Sequence, residues 1–130
     1  MISGVVTATG EGFIELSIPG TDYRLKLAVA ADFAAQVGEK VSGVVRAKAR
    51  RMDVVGAGGR FIEPVFGRPR RVQGRVSGGN VTDNAVYVTA GPRVSVTPLA
   101  PQTAADFALG QIVSFDVEPG ATFEPLGARA

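Results

Sequence analysis

The sequence repeats itself in order, and this restricts the folds open to it. Residues 31–34 read Ala-Asp-Phe-Ala, and residues 105–108 repeat the same four letters. Three further segments recur in the same order and at similar separations: residues 2–6 with 72–76, 37–42 with 109–114, and 61–64 with 123–125. Ordered self-similarity of this kind is typical of internal repeats. We therefore predict that the chain is a duplication of one small unit.

Alternation of apolar and polar residues predicts that each unit is built from strands. Ile14, Leu16 and Ile18 alternate with Phe13, Glu15 and Ser17, and Leu25 and Leu27 continue the alternation after the turn at residues 19–22. A period of two is typical of half-buried strands, so these segments predict a hairpin. The same alternation resumes over residues 41–50, ends at the glycine-rich residues 56–59, and is followed by a short strand over 60–64. We predict that strands 41–50 and 60–64 form a long hairpin arm.

The repeated Ala-Asp-Phe-Ala segment interrupts the strands in both halves. An alanine-rich stretch over residues 31–37 with Asp32 near its start and Gly38 after its end favours a short helix. We expect Asp32 and Asp106 to cap these helices and the phenylalanine rings at 33 and 107 to close the ends of two small barrels. The alternative is that the two aspartates form a functional carboxylate pair beside stacking rings.

The composition excludes whole classes of chemistry. The chain has no cysteine and no histidine, which removes disulfides, thiolate nucleophiles, imidazole metal sites and Ser-His-Asp triads. No paired-carboxylate motif stands out, so we expect a protein that is not an enzyme and needs no cofactor or metal. The N-terminal residues lack the features of a signal peptide, and no apolar run is long enough to cross a membrane. We expect a cytoplasmic protein without a membrane partner.

Positive charge is concentrated in the middle of the chain. Residues 40–75 contain ten basic and two acidic residues, a local net charge of +8. Because the whole chain carries only +2, the remaining residues carry −6. A separation of charge on this scale can steer an anionic partner, or one copy of the chain towards another.

Cationic side chains at every second position predict a binding track for single-stranded nucleic acid. Side chains on one face of a strand recur at roughly 6.5 to 7 Å, close to the phosphate repeat of an extended strand. Tyr23, Phe61 and Phe66 are candidate stacking rings. The predicted contact residues are Arg46, Lys48, Arg50, Arg51, Arg68, Arg70 and Arg71.

Two other interpretations of the basic segment remain open. Its charges could form a solvated face that discourages association between sheet edges. Alternatively, the basic segment of one chain could dock on the acidic second half of another, which would make the protein a self-associating structural module. The acidic residues predicted for that assembly are Asp116, Glu118 and Glu124.

The order of three strands, a short helix and two strands resembles the OB-fold, a five-stranded Greek-key barrel. Residues 38–47, Gly-Glu-Lys-Val-Ser-Gly-Val-Val-Arg-Ala, also look like the fourth strand of tandem molybdate-binding (Mop/TOBE-type) domains. That resemblance implies oxyanion binding, with Arg46 at the position of the family's oxyanion-contacting lysine, whereas Glu118 stands at the aligned position of the second half. The resulting expectation is an all-β chain of two duplicated OB-like five-stranded barrels, each with one short helix between its third and fourth strands. The barrels would span residues 1–66 and 72–130, joined by a basic linker at 67–71.

Overall fold

A computed structural model describes residues 2–126 and confirms an all-β protein. Its only helical segment in these residues is a single 3₁₀ turn at Ala104–Asp106, so no described helix could cross a membrane. The strands are β1 (Ile2–Gly10), β2 (Phe13–Ser17), β3 (Arg24–Ala28), β4 (Lys40–Lys48), β5 (Asp53–Val55), β6 (Phe61–Glu63), β7 (Phe66–Gly67), β8 (Arg71–Asn80), β9 (Ala85–Thr89), β10 (Arg93–Thr97), β11 (Ile112–Asp116) and β12 (Thr122–Pro125).

Five strands close into a barrel in the order β1, β2, β3, β12 and β4, with β4 returning to β1. Their inward positions carry large apolar side chains such as Leu16, Leu25 and Val45, each at most 2% exposed. Because side chains alternate between the faces of a strand, the residues between these positions point outwards. The predicted hairpin of residues 13–28 is confirmed as the antiparallel pair β2 and β3.

The last strand of the barrel comes from the far end of the chain. β12 lies between β3 and β4, where it pairs parallel with β3 through Thr122 and Ala28 and antiparallel with β4. In return, β5 follows the first-half strand β4 but pairs antiparallel with β11 of the second half. Strand β4 itself pairs with β10 through residues 45–48. All twelve strands therefore belong to one continuous sheet, and the basic segment at 67–71 does not separate two sheets.

The same backbone contacts recur in the two halves. The Gly38 amide donates to the Val6 carbonyl, and the Gly110 amide donates to the Val76 carbonyl. Ile2 pairs with Gly43, and the corresponding residue Val72 pairs with Phe115. A register shift follows Val6 in β1 and Val76 in β8. The sequence repeat therefore coincides with a repeat of hydrogen bonding.

The predicted helix in the first half is wrong. Residues 31–39 form turns, in which the Phe33 amide donates to Ala30 and the Glu39 amide donates to Gln36. The segment is too short to build the successive hydrogen bonds that offset the cost of helix nucleation. The second half keeps one 3₁₀ turn, where the Asp106 carboxylate accepts the Thr103 amide proton at 2.8 Å. Phe33 does pack at the barrel end, with its ring 6.1 Å from that of Phe123.

The predicted basic hairpin arm is also wrong. Its two strands correspond to β4 and β6, which do not pair with each other: β4 pairs with β1, β12 and β10, whereas β6 pairs with β8. The glycine-rich loop between them lies against β8, where the Gln73 side-chain amide donates to the Gly59 carbonyl at 2.8 Å. Both strands have other partners in the sheet, so neither remains as a free arm.

Candidate nucleic-acid interface

The structure divides the predicted basic residues among separate places. Arg46 and Lys48 are exposed on the outer face of β4, which ends at Lys48. Arg50 and Arg51 lie in the bend that follows, although the alternation of buried and exposed residues continues past the buried Ala49 to the exposed Arg50. The Arg50 amide donates to the Asp116 carbonyl, which turns the chain towards β11. The remaining three predicted cations lie in or next to the segment that enters β8: Arg68, Arg70 and Arg71.

Two of the three acidic residues predicted for assembly are paired with arginines of the same chain. Arg46 makes two hydrogen bonds to the Glu124 carboxylate, at 3.2 and 3.3 Å. Arg71 pairs with Asp116 at 2.9 Å and also donates to the Ser114 hydroxyl. Much of the charge complementarity seen in the sequence is therefore satisfied inside one molecule, across the contacts between the two halves.

The Arg46–Glu124 ion pair is open to solvent. The hydrogen bond from Arg46 to the Glu124 carboxylate raises the pKa of the guanidinium, so this group remains charged. Both side chains are at least half exposed, at 50% and 58%. Ion pairs this exposed stabilise a protein by about 1 kcal/mol or less, so another anion can compete for Arg46.

A row of outward-facing residues crosses six strands of the sheet through Arg46. Residues that pair across strands place their side chains on the same face, and successive pairings connect β2 to β9. The neighbouring inward residues, such as Ile14 and Val45, are buried, which assigns the row to the outer face. From one end to the other the row contains Phe13, Ala28, Thr122, Arg46, Ser95 and Tyr87. Of these, Ser95 is only 7% exposed.

Each end of this row carries an aromatic ring beside a cation. The Arg93 guanidinium lies over the Tyr87 ring, 4.0 Å from its centroid. The Lys26 ammonium lies over the Phe13 ring at 4.2 Å. With strands about 4.8 Å apart, the five spacings between the two rings amount to roughly 24 Å measured along the curved outer surface, four strands of which belong to the barrel. Arg46 lies between them, with Lys48 two residues further along β4.

Sequence reasoning missed four residues of this surface, which are Phe13, Lys26, Tyr87 and Arg93. Each stands at the outward position of an alternating segment, which could have marked it as surface. Alternation within a segment does not predict the order of the strands in the sheet. Only this order places the four residues on the same outer face as Arg46. Among the rings that were predicted, the Tyr23 hydroxyl accepts the Ile62 amide proton, and Phe66 is 62% exposed beneath Arg24.

Two depressions flank the turn at residues 118–121, next to the row. One is lined by Arg46, Lys48 and Glu118, so its charge is mixed. The other, of about 480 Å³, is lined by Phe13, Lys26, Arg68 and Arg70. Within residues 2–126 no cluster of acidic side chains could hold a metal ion.

Comparisons of this chain with protein-family models, with curated proteins and with solved structures found no match.

Proposed function

We propose that this protein is a non-enzymatic binding module that holds single-stranded nucleic acid across the outer face of its sheet, without strong sequence preference. The observation that carries the proposal is the row from Phe13 to Tyr87, with a ring and a cation at each end and Arg46 between them. Small barrels that bind single strands combine cations for the phosphates with rings for the bases. Every base has an aromatic face, so such contacts tolerate sequence variation.

The energetics of the exposed cations support a salt-sensitive complex. Lys26, Lys48 and Arg93 form no ion pair within residues 2–126, where the three ion pairs are Arg46–Glu124, Arg51–Asp53 and Arg71–Asp116. Binding a phosphate therefore does not require these three cations to give up a carboxylate partner. Release of counterions from the nucleic acid then supplies much of the binding free energy.

The proposal also explains how the binding surface arose by duplication of a smaller unit. We infer that the chain is a duplicated OB-like unit, divided near residues 67–71, whose two halves have exchanged their final segments. The ordered sequence repeats and the matching hydrogen bonds of Gly38 and Gly110 support this inference. In such a molecule the row crosses both units, because β12 of the second half lies in the first barrel and β4 of the first half pairs with β10.

The direct test is a titration of a fluorescent single strand of about 12 nucleotides, which is within the usual site size of such folds, into the protein at about 50 mM salt. We expect binding that weakens steeply as salt increases and that changes little between base sequences. A strand that does not bind at low salt would contradict the proposal. Light scattering of the protein alone, at low and high salt, tests the alternative of charge-driven self-association.

Replacing Glu124 by glutamine is expected to strengthen binding. The change keeps the shape of the side chain but removes the negative charge that holds Arg46, so the guanidinium can contact phosphate without losing an ionic partner. We expect a gain in affinity of roughly two- to fivefold, the value of one exposed ion pair. The measurement is the same titration, with Asp53→Asn as the matched control because Asp53 pairs with Arg51 away from the row. An equal gain in both variants would indicate only a general charge effect.

A further inference from the structure

The groove beside Phe13 is lined by positive charge, as a binding site for a small, highly charged anion would be. Lys26 comes from β3, and Arg68 and Arg70 come from the segment that continues from β7 alongside it. The turn at Gly120 forms the opposite wall. Among the described residues that line this groove, three are cationic and none is acidic. None of the three cations forms an ion pair within residues 2–126.

The groove lies where the row across the sheet ends. Past Phe13 the chain turns at Glu11 and Gly12, whereas Glu15 stands opposite Lys26 on the outer face of β2. The exposed Glu11 carboxylate repels phosphates that would continue past Phe13. Three cations in the groove on one side of Phe13 and a carboxylate on the other favour the end of a strand over its middle.

A terminal phosphate suits this arrangement better than an internal one. A phosphodiester carries one negative charge, whereas a phosphate monoester carries roughly −1.5 to −2 at neutral pH and offers three acceptor oxygens. Arginine provides donors in a planar fork that matches these oxygens, and lysine adds a point charge. The Phe13 ring borders the same groove, and its exposed parts can contact the base next to that phosphate.

We propose that the groove formed by Lys26, Arg68, Arg70 and Phe13 holds a phosphate monoester next to a base, as at the phosphorylated end of a single strand. This inference rests on the proposed function, because the groove lies at one end of the proposed nucleic-acid-binding surface. A free nucleoside monophosphate carries the same chemistry, so the experiment must distinguish the two sources.

The test compares three thymidine strands of about 12 nucleotides: one with hydroxyls at both ends, one with a 5′-phosphate and one with a 3′-phosphate. We expect one of the phosphorylated strands to bind roughly fivefold tighter than the unphosphorylated strand, the value of one additional exposed ionic contact. The preference should disappear in the double variant Arg68→Ser/Arg70→Ser. It should persist in Arg51→Ser/Arg60→Ser, which removes the same number of positive charges elsewhere. Titration with thymidine monophosphate tests the free nucleotide as the source.

The outcomes separate this inference from the proposed function. Equal binding of the three strands, or a preference that survives in the groove variant, overturns the inference and leaves the proposed function standing. If no strand binds, the proposed function fails. In that case, a monoester site is still supported if thymidine monophosphate binds the protein and does not bind the groove variant. If thymidine monophosphate does not bind the protein, the monoester site is overturned as well. Thermal unfolding of both double variants establishes that they are folded.

Discussion

Replacement of Arg46, Lys48 and Arg93 by serine is expected to weaken binding of single-stranded nucleic acid by about 100-fold at low salt. The three cations are exposed on adjacent strands of one face, and each contributes up to about 1 kcal/mol to a phosphate contact. The affinity should decrease equally for strands of every base sequence, because contacts to phosphate carry no sequence information.

The salt dependence gives this prediction a second readout. For single strands the slope of log K against log salt changes by about 0.7 for each phosphate contact, so the triple variant should lose about 2 from the slope. The matched control is Arg50→Ser/Arg51→Ser/Arg60→Ser, which removes three arginines outside the row. Equal losses of affinity and slope in the two triple variants would contradict a localised surface and indicate only a response to net charge. Circular dichroism of both variants checks that the sheet is retained.

Replacement of Gly43 by valine is expected to lower the free energy of unfolding by about 3 kcal/mol or more. A Cβ atom at this position would come within 2.6 Å of the Phe123 ring and still closer to the Glu124 carbonyl. The backbone carbonyl cannot rotate away as a side chain can, so β12 must move off β4. Overpacking a core commonly costs about 1 to 3 kcal/mol, and loss of the strand adds to that cost.

Denaturant unfolding measures this effect, and Gly59→Val is the control because a Cβ at Gly59 would meet open space. If Gly43→Val unfolds completely, the milder Gly43→Ala places the same Cβ atom and should still lose more stability than Gly59→Ala. Similar stability of the two alanine variants would show that β12 does not pack against Gly43. In any folded Gly43 variant we also expect weaker nucleic-acid binding, since Thr122 of β12 connects Ala28 to Arg46 in the row.

The β2–β3 hairpin illustrates what could be predicted from local sequence. Its alternation and its Pro-Gly-containing turn are both local signals, so its strands and their pairing were predicted correctly. The helix over 31–37 was predicted from equally local signals and does not form, because the short segment is held in turns by backbone contacts at both ends. The Gly38 amide, for example, donates to the carbonyl of Val6 in β1.

The candidate site was predictable only in part. The excess of positive charge, and Arg46 and Lys48 as outward residues of one strand, followed from composition and alternation. The pairing of Arg46 with Glu124 did not, because these residues are 78 positions apart and meet only when β12 enters the first barrel. Tyr87 and Arg93 were missed for the same reason: their strands join the surface through the parallel pairing of β10 with β4.

By itself, the sequence determined the approximate position of the strands β2, β3, β4 and β6, which faces of β2, β3 and β4 are apolar, and that four sequence segments recur in the same order. These properties depend on neighbouring residues and on a period of two. The tertiary structure decided which strands lie side by side, and therefore which charges are paired and which remain open. Strand order depends on contacts between residues far apart in the chain, such as Gly43 with the Phe123 ring, where the absence of a side chain makes room for the last strand.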